Sequence, residues 1–349
     1  MAWRGWVLFF LSAVALLQAG ERGNAVIETV VIGSCAKQDG DQAFWESIRQ
    51  EKPDLFLFIG DNIYADELKY RKLKKQYKKL GRSPGFAALR KETRLMAVWD
   101  DHDYGINDGG GDYALKHDSK KAFLRFFKPP KDTRVWRGPG LYHRETFGPE
   151  GQRVQVIMLD TRFFRSGWNA LPKDEWGDQG RYLTDDNPEK TMLGKAQWQW
   201  LVRCLQEPAD LRLVITSIQA VSNDHRWEKW GNFPLERAKL FNSIKQSGAK
   251  GVVLISGDRH SGEVSKLPAD DADGVGYPLY EMTSSGLNTN MASNPDEPNR
   301  YRIGTRRLVN HYAVLTIDWR DDPEIAMQFK STEGENLGAP VRVPLSQLR

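Results

Sequence analysis

The chain of 349 residues has only two cysteines, Cys35 and Cys204, so disulfides do not hold its fold together. It lacks a second long apolar run: past the N-terminal segment, nothing approaches the roughly 20 residues that a membrane-spanning helix needs. It also lacks a dominant charge, with 50 basic against 46 acidic residues and a net charge of +4, a balance that selects no nucleic acid or other polyanion as partner. What it has in quantity is apolar residues, 40% of the chain, enough for a full core and against disorder.

The first residues, "MAWRGWVLFFLSAVALLQAG", combine one positive charge at Arg4, an apolar run from Trp6 to Leu17 and small residues at Ala19 and Gly20. That pattern reads as a secretory signal over residues 1–19, ahead of a single domain over residues 20–349. The mature protein is then expected outside the cytosol, secreted or periplasmic, without a membrane anchor and as a monomer. A buried N-terminal helix or an anchor is the other reading of the same run.

One event recurs six times along the chain: a β-branched or aromatic apolar run stops at small and polar residues. The runs are "ETVVIGSC", "LFLFIGDNIY", "LMAVWDDHD", "VQVIMLDTR", "LRLVITSIQ" and "GVVLISGDRH". Each predicts a buried strand. Helical patterns lie between them, over Gln42 to Gln50, Lys195 to Leu205 and Leu235 to Ser247, and further strands over Ala313 to Trp319 and Ile325 to Lys330. Alternating strands and helices imply an α/β fold whose ligands bind beyond the C-terminal strand ends. The six polar clusters are therefore expected along one sheet edge, in one site. A single Gly-Asp after a strand is usually a turn; the repetition carries the argument.

Those clusters gather Cys35, Asp61, Tyr64, Asp100, Asp101, His102, Asp103, Asp258 and His260. So many acids resist ionising together, and bound cations relieve them. Thiolate and imidazole suit transition metals, and carboxylates suit calcium or other hard ions. The mixture points to two metal positions of different character. The spacing from Asp61 to Tyr64 lets one loop offer a carboxylate and a phenol to one ion.

In order and spacing, "GSC", "GDNIYAD", "WDDHDYGINDGG", "LDTRFFR", "SIQ" and "SGDRH" resemble the motif series of the alkaline phosphatase D (PhoD-like) metallophosphatases. "GDNIY" is also similar to the GDxxY element of purple acid phosphatases. The resemblance implies a metallophosphoesterase-type αββα sandwich with two mixed sheets, and hydrolysis of phosphate monoesters or diesters by water activated between two metals, ferric iron and calcium or another hard cation. Small phosphoesters or phospholipid head groups would be the substrates. By position it makes Asp61 the bridging ligand, with Tyr64, His260 and Cys35 on the iron. It aligns Asp101 with the second metal, Asp100 being the rival one residue away, and His102 with a substrate-facing histidine. Asp258 and Gln219 stand where purple acid phosphatases have histidines, which hardens the second position toward oxygen ligands. Longer members carry an additional N-terminal β-sandwich that this sequence does not show.

Other candidates remain open on the residues. Arg162 either forks onto phosphate or pairs with Asp160. Asp103 and Asn107, beside the histidine, are candidate substrate contacts, and Asp103 and Arg259 have ion pairing as their alternative. His225, with Trp227, Trp230 and Asn232, is a pocket wall or a bystander. Cys35 is a ligand or a small buried residue; Cys204, on an apolar helical face, is core. The basic run Glu67 to Leu80 is a solvated helix that can also draw anions. A secreted binding protein on a retired phosphatase fold is the rival function.

Overall fold

The computed structural model describes residues 25–177, 180–289 and 292–349; the secretory signal expected over residues 1–19 lies outside them. Its strands are β1 (Thr29–Gly33), β2 (Leu55–Ile59), β3 (Arg94–Val98), β4 (His143–Phe147), β5 (Val154–Met158), β6 (Asn169–Ala170), β7 (Tyr182–Leu183), β8 (Leu211–Ser217), β9 (Val252–Ser256), β10 (Gly262–Leu267), β11 (Leu279–Ser284), β12 (Arg302–Arg307), β13 (His311–Asp318), β14 (Glu324–Ser331) and β15 (Val341–Pro344). All six expected apolar runs are strands, and the two tail strands are present. The polar end "PVRVPLSQLR" adds β15, a strand the sequence did not announce.

The expectation of one sheet edge gives way to two sheets. One runs β15-β14-β13-β1-β2-β3 and the other β12-β10-β11-β9-β8-β5-β4, with β6 and β7 as a separate ribbon. β1, β2 and β3 are parallel, as are β5, β8, β9 and β11. β13 and β4 join antiparallel, so both large sheets are mixed. Parallel strands buried on both faces need continuous apolar runs, and β2 and β5 are buried at every position. The site is thus mounted on strand ends from both sheets, three from each.

The helices are α1 (Phe44–Gln50), α2 (Tyr70–Leu80), α3 (Pro84–Glu92), α4 (Asp101–Tyr104), α5 (Lys116–Phe127), α6 (Gly194–Leu205) and α7 (Pro234–Ser247). Trp45 of α1 and Phe86 of α3 meet Phe56 and Phe58 of β2 through ring contacts. Each such fully buried ring stabilises the fold by about 1.5–3 kcal/mol. On the second sheet, Gln155 of β5 donates to the carbonyl of Cys204 in α6 at 3.0 Å, and Cys204 is buried there. The basic α2 buries Leu73, Tyr77 and Leu80, and Tyr77 stacks on Phe126 of α5 at 4.9 Å. Its lysines are left to solvent. No helix among the described residues is long and apolar enough to cross a membrane.

Candidate metal centre

Polar bridges tie the two sheets together where their strand ends meet. Ser34 donates to the carbonyl of Ser284, Ser284 donates back to that of Ile32, and Trp99 donates to Asp160 at 2.9 Å. The strand ends turn sharply there. Of the ten non-glycine residues with positive φ among those described, Cys35, Asp61, Asp108, Ser217, Asp258 and His260 all belong to this junction or touch it. Such backbone costs about 1–3 kcal/mol per residue and persists where the surroundings over-determine it.

Asp61 is the hub. Its Oδ2 lies 3.4 Å from the Cys35 sulfur and 3.4 Å from the Tyr64 hydroxyl, which is 3.1 Å from Nε2 of His260. Its Oδ1 accepts the His102 backbone N–H at 3.2 Å, a donor shared with Asp101 Oδ1 at 2.8 Å. The two oxygens of one carboxylate therefore face different donor groups. Ligand atoms of Cys35, Asp61 and His260 lie within 4.8 Å of one another, as do those of Asp61, Asp101 and His102, of Asp100, Asp101 and Asp258, and of Asp101, Asp108 and Glu228. All six metal-ligand candidates thus converge. Asp100 and Asp101 are both in the cluster: Asp100 Oδ1 is held by Arg162 and Ser217, while its Oδ2 is buried without a partner.

The electrostatics fit a cation. Burial pushes the Cys35 thiol up to about 12, against the bonds from Ser285 and Ser34 that favour its charge. Burial, then the Asp101 and Cys35 charges, raises Asp61 well above the carboxylate range. Burial and the Asp100 charge do the same to Asp258. Burial lowers His260 to about 4, so its imidazole is neutral and able to ligate. A thiol, a phenol, a neutral imidazole and several carboxylates, crowded and short of countercharge, form a donor set that a metal completes.

The cluster opens into a cleft of about 760 Å³ whose lining includes Asp61, Tyr64, Asp101, His102, Asn107, Asp108, Arg181, Trp227, Glu228, Asp258, Arg259 and His260. A wider groove of about 940 Å³ between α6 and α7 holds none of this chemistry. His102 packs against Tyr64 at 4.2 Å. Against burial, the Asp101, Asp61 and Asp66 carboxylates hold its imidazole up at about 11.

Three expected substrate contacts are not in the cleft. Arg162 is fully buried, 2.7 Å from both Asp100 and Glu228; it takes a backbone bond to Asp160 rather than a side-chain ion pair with it. Asp103 is buried beneath α4, where it accepts from the Asp100 backbone, Asn62 and Tyr77. His225 is buried with Nε2 donating to Gln219 at 2.9 Å, and Gln219 in turn donates to Glu263 and Thr283. Both therefore stand behind the wall, as do the buried Trp230 and Asn232. Asp66, Asp108, Arg181 and Glu228 were missed.

Residues 30–333 match the model of the PhoD-like phosphatases. Alkaline phosphatase D of Bacillus subtilis (strain 168) is 23% identical over 305 residues, covering 74% of this chain and 48% of that protein. The chain thus spans about half the length of the curated relative it matches. Among solved structures, PhoD superposes with a TM-score of 0.69 at 18% identity, over 94% of this chain and 72% of the other. The purple acid phosphatase PPD1 from yellow lupin (Lupinus luteus) seeds gives 0.62 at 12%, over 93% and 55%. GAP50, the anchor in the inner membrane complex of Plasmodium, gives 0.55 at 12%, over 92% and 89%. At these identities the structural likenesses establish the fold: the two mixed sheets flanked by helices are those of a metallophosphoesterase.

Proposed function

The chain belongs to the PhoD-like phosphatase family, and from that premise we propose that it is an exported, metal-dependent phosphoesterase acting on small monoesters or diesters in the cleft between its sheets. The observation that carries the reading is the placement of Asp61, one oxygen toward Cys35 and Tyr64 and the other toward the Asp101–His102 turn. Cys35, Tyr64, His260 and Asp61 would hold one ion, iron because its phenolate and thiolate both donate charge into a ferric centre. Asp61, Asp101 and Asp258 would hold a harder one such as calcium. Bound there, the metals would supply activated water and charge neutralisation for the phosphoryl group.

The rest is done by side chains. Asp66 accepts from Nδ1 of His102 at 2.9 Å and fixes the ring at the cleft, where Nε2 is the nitrogen left to donate a proton to a leaving oxygen. Tyr64 braces the other face of that ring. Asn107, exposed on the rim of the cleft, would hydrogen-bond a substrate. Arg162 neutralises Asp100 and Glu228 from beneath, so the acids can crowd without unfolding the junction.

The test pairs elemental analysis of the purified protein with turnover of nitrophenyl phosphate and bis-nitrophenyl phosphate before and after chelation. Bound metal with chelator-sensitive turnover supports the reading. Full activity in metal-free protein, or metal-replete protein with no turnover of any ester, would sink it, the second result favouring a binding protein.

A further inference from the structure

The outer wall of the cleft carries one carboxylate for two guanidiniums. Glu297 accepts from Nη2 of Arg259 at 2.9 and 2.8 Å and lies 3.1 Å from Nη2 of Arg306. Arg306 has its other donors placed, Nε on Ser261 at 3.0 Å and Nη1 on the carbonyl of Asn294 at 2.6 Å. Arg259 does not. Its side chain is 10% exposed, its Nε is buried without a partner, and among the described residues Glu297 is the only acceptor it reaches. A buried guanidinium sharing its one carboxylate is under-satisfied, and a ligand carrying its own acceptors relieves it.

Position and shape say what kind of ligand. Arg259 stands between Asp258 and His260, so its guanidinium is fixed beside the reaction centre, and all three line the same cleft. Its Cζ lies 5.4 Å from the ring centre of Trp227, with that of Arg181 at 5.7 Å. The Arg181 charge is met by Asp108 at 2.7 Å, whereas the Arg259 and Arg306 pair keeps one positive charge in excess. Burial, then the charges of Arg259, Lys229 and Arg306, push His225 well below the ordinary imidazole range.

We propose that Arg259, flanked by Trp227 and Arg306, forms a leaving-group subsite for a second anionic group, phosphate or carboxylate, carried on a planar ring beyond the scissile phosphoester. The proposal rests on the phosphoesterase reading: the ester meets the metal centre, the ring lies beside the indole of Trp227, and the distal anion pairs with the guanidinium of Arg259, which shares its one carboxylate with Arg306.

Three non-hydrolysable probes test it on the metal-loaded full chain by calorimetry: phenylphosphonate, 4-carboxyphenylphosphonate and 1,4-phenylenebisphosphonate. At low salt the second anionic group should tighten Kd about tenfold or more, and whichever of the two doubly substituted probes gains more shows which anion the subsite prefers. Arg259→Gln should reduce that gain to within about twofold, and Arg259→Lys should keep part of it. Should Arg259→Gln fail to fold, Glu297→Gln serves instead: freeing the guanidinium should enlarge the gain. Equal affinities in the wild type, a gain that survives Arg259→Gln, or no enlargement in Glu297→Gln overturns the subsite. Hydrolysis of phenyl phosphate and its 4-carboxy analogue separates the two claims. A wild type showing the binding gain without turnover of these monoesters or of bis-nitrophenyl phosphate refutes the phosphoesterase reading, and one showing turnover without the gain refutes the subsite alone.

Discussion

Nδ1 of His102 lies 2.9 Å from Oδ2 of Asp66, while the same ring packs at a tilt of 34° against Tyr64, centroids 4.2 Å apart. One side chain thus orients the imidazole by hydrogen bond and another by its face, although Asp66 belongs to the loop after β2 and His102 to α4. The pair is held at the mouth of the cleft, where Asp66 is still 41% exposed.

If His102 protonates the leaving oxygen, His102→Ala should slow alkyl phosphoesters by about 10²–10⁴ and nitrophenyl esters far less, since a good leaving group needs no proton. Asp66→Asn should act in the same direction by about tenfold or more, as partners of oriented histidines do. Metal content, measured on the same preparations, should stay near the parent's. Equal slowing of both ester types with lost metal would instead make His102 a brace for Asp61 and Asp101.

Arg162, open in the sequence between a phosphate contact and an ion pair with Asp160, lies beneath the acids, which gives it the mutational signature of a buried countercharge. Arg162→Met leaves Asp100 buried without its cation and Glu228 with Arg165 alone, 3.4 Å away, and breaking such a buried pair costs about 3–5 kcal/mol. Denaturant melts should show that loss even in protein treated with chelator. A variant of parental stability with only its turnover impaired would restore Arg162 to the substrate.

Gly60 explains why an apolar strand can empty into a crowded polar cluster. Its φ is +121°, and a Cβ there would sit 2.4 Å from the Cβ of Asp100. Only glycine lets β2 turn while β3 brings Asp100 against it. Gly60→Ala should therefore cost at least about 1–3 kcal/mol for the backbone alone and should lower bound metal by driving Asp61 and Asp100 apart. A melt and a metal analysis within error of the parent would show that the junction yields more easily than its geometry implies.

What could be read in advance was what is local. A strand that stops at Gly-Asp and a Tyr three residues after an Asp are visible in one short window, so the six strands and the converging acids were legible. Burial and long-range pairing were not. Arg162, Asp103 and His225 have the right side chains for substrate contact, but Glu228, Tyr77 and Gln219 occupy them from other parts of the chain. The pairing of Asp108 with Arg181 at 2.7 Å was invisible for the same reason. The division into two sheets depends on β13 joining β1 from the far end of the chain, a contact that periodicity cannot carry.

His311, away from the site, gives the fold an acid limit. Burial lowers it from 6.5 to about 4; it donates from Nδ1 to Val309 and packs against Phe329. Between those two values the unfolded chain binds the proton and the folded chain does not, so stability rises with pH across this window. It is lost as pH falls through it, by about 3 kcal/mol in total for this one group. His311→Leu should flatten the dependence of unfolding free energy on pH between about 4 and 6.5. An unchanged slope would move the proton uptake to other groups.

The last prediction decides whether Cys35 is a ligand or merely a small buried residue. With its thiol pushed to about 12 by burial, Cys35 is protonated at neutral pH before any ion arrives, and a coordinating sulfur must shed that proton. Titrating ferric iron, kept soluble as a weak chelate, into chelator-treated protein at neutral pH should release a proton that Cys35→Ala does not release. Affinity for the ion should rise as pH rises, by up to about tenfold per unit for each proton displaced, and more shallowly in the variant. Tyr64, raised well above its ordinary value by burial and the neighbouring Cys35 and Asp61, contributes by the same logic, so Tyr64→Phe should release one fewer again. The two substitutions can be scored without any substrate, in weakly buffered solution with an indicator dye. If proton release and its pH dependence are the same in the parent and in Cys35→Ala, the sulfur stays a thiol beside Ser285, and the soft position must be assigned without it.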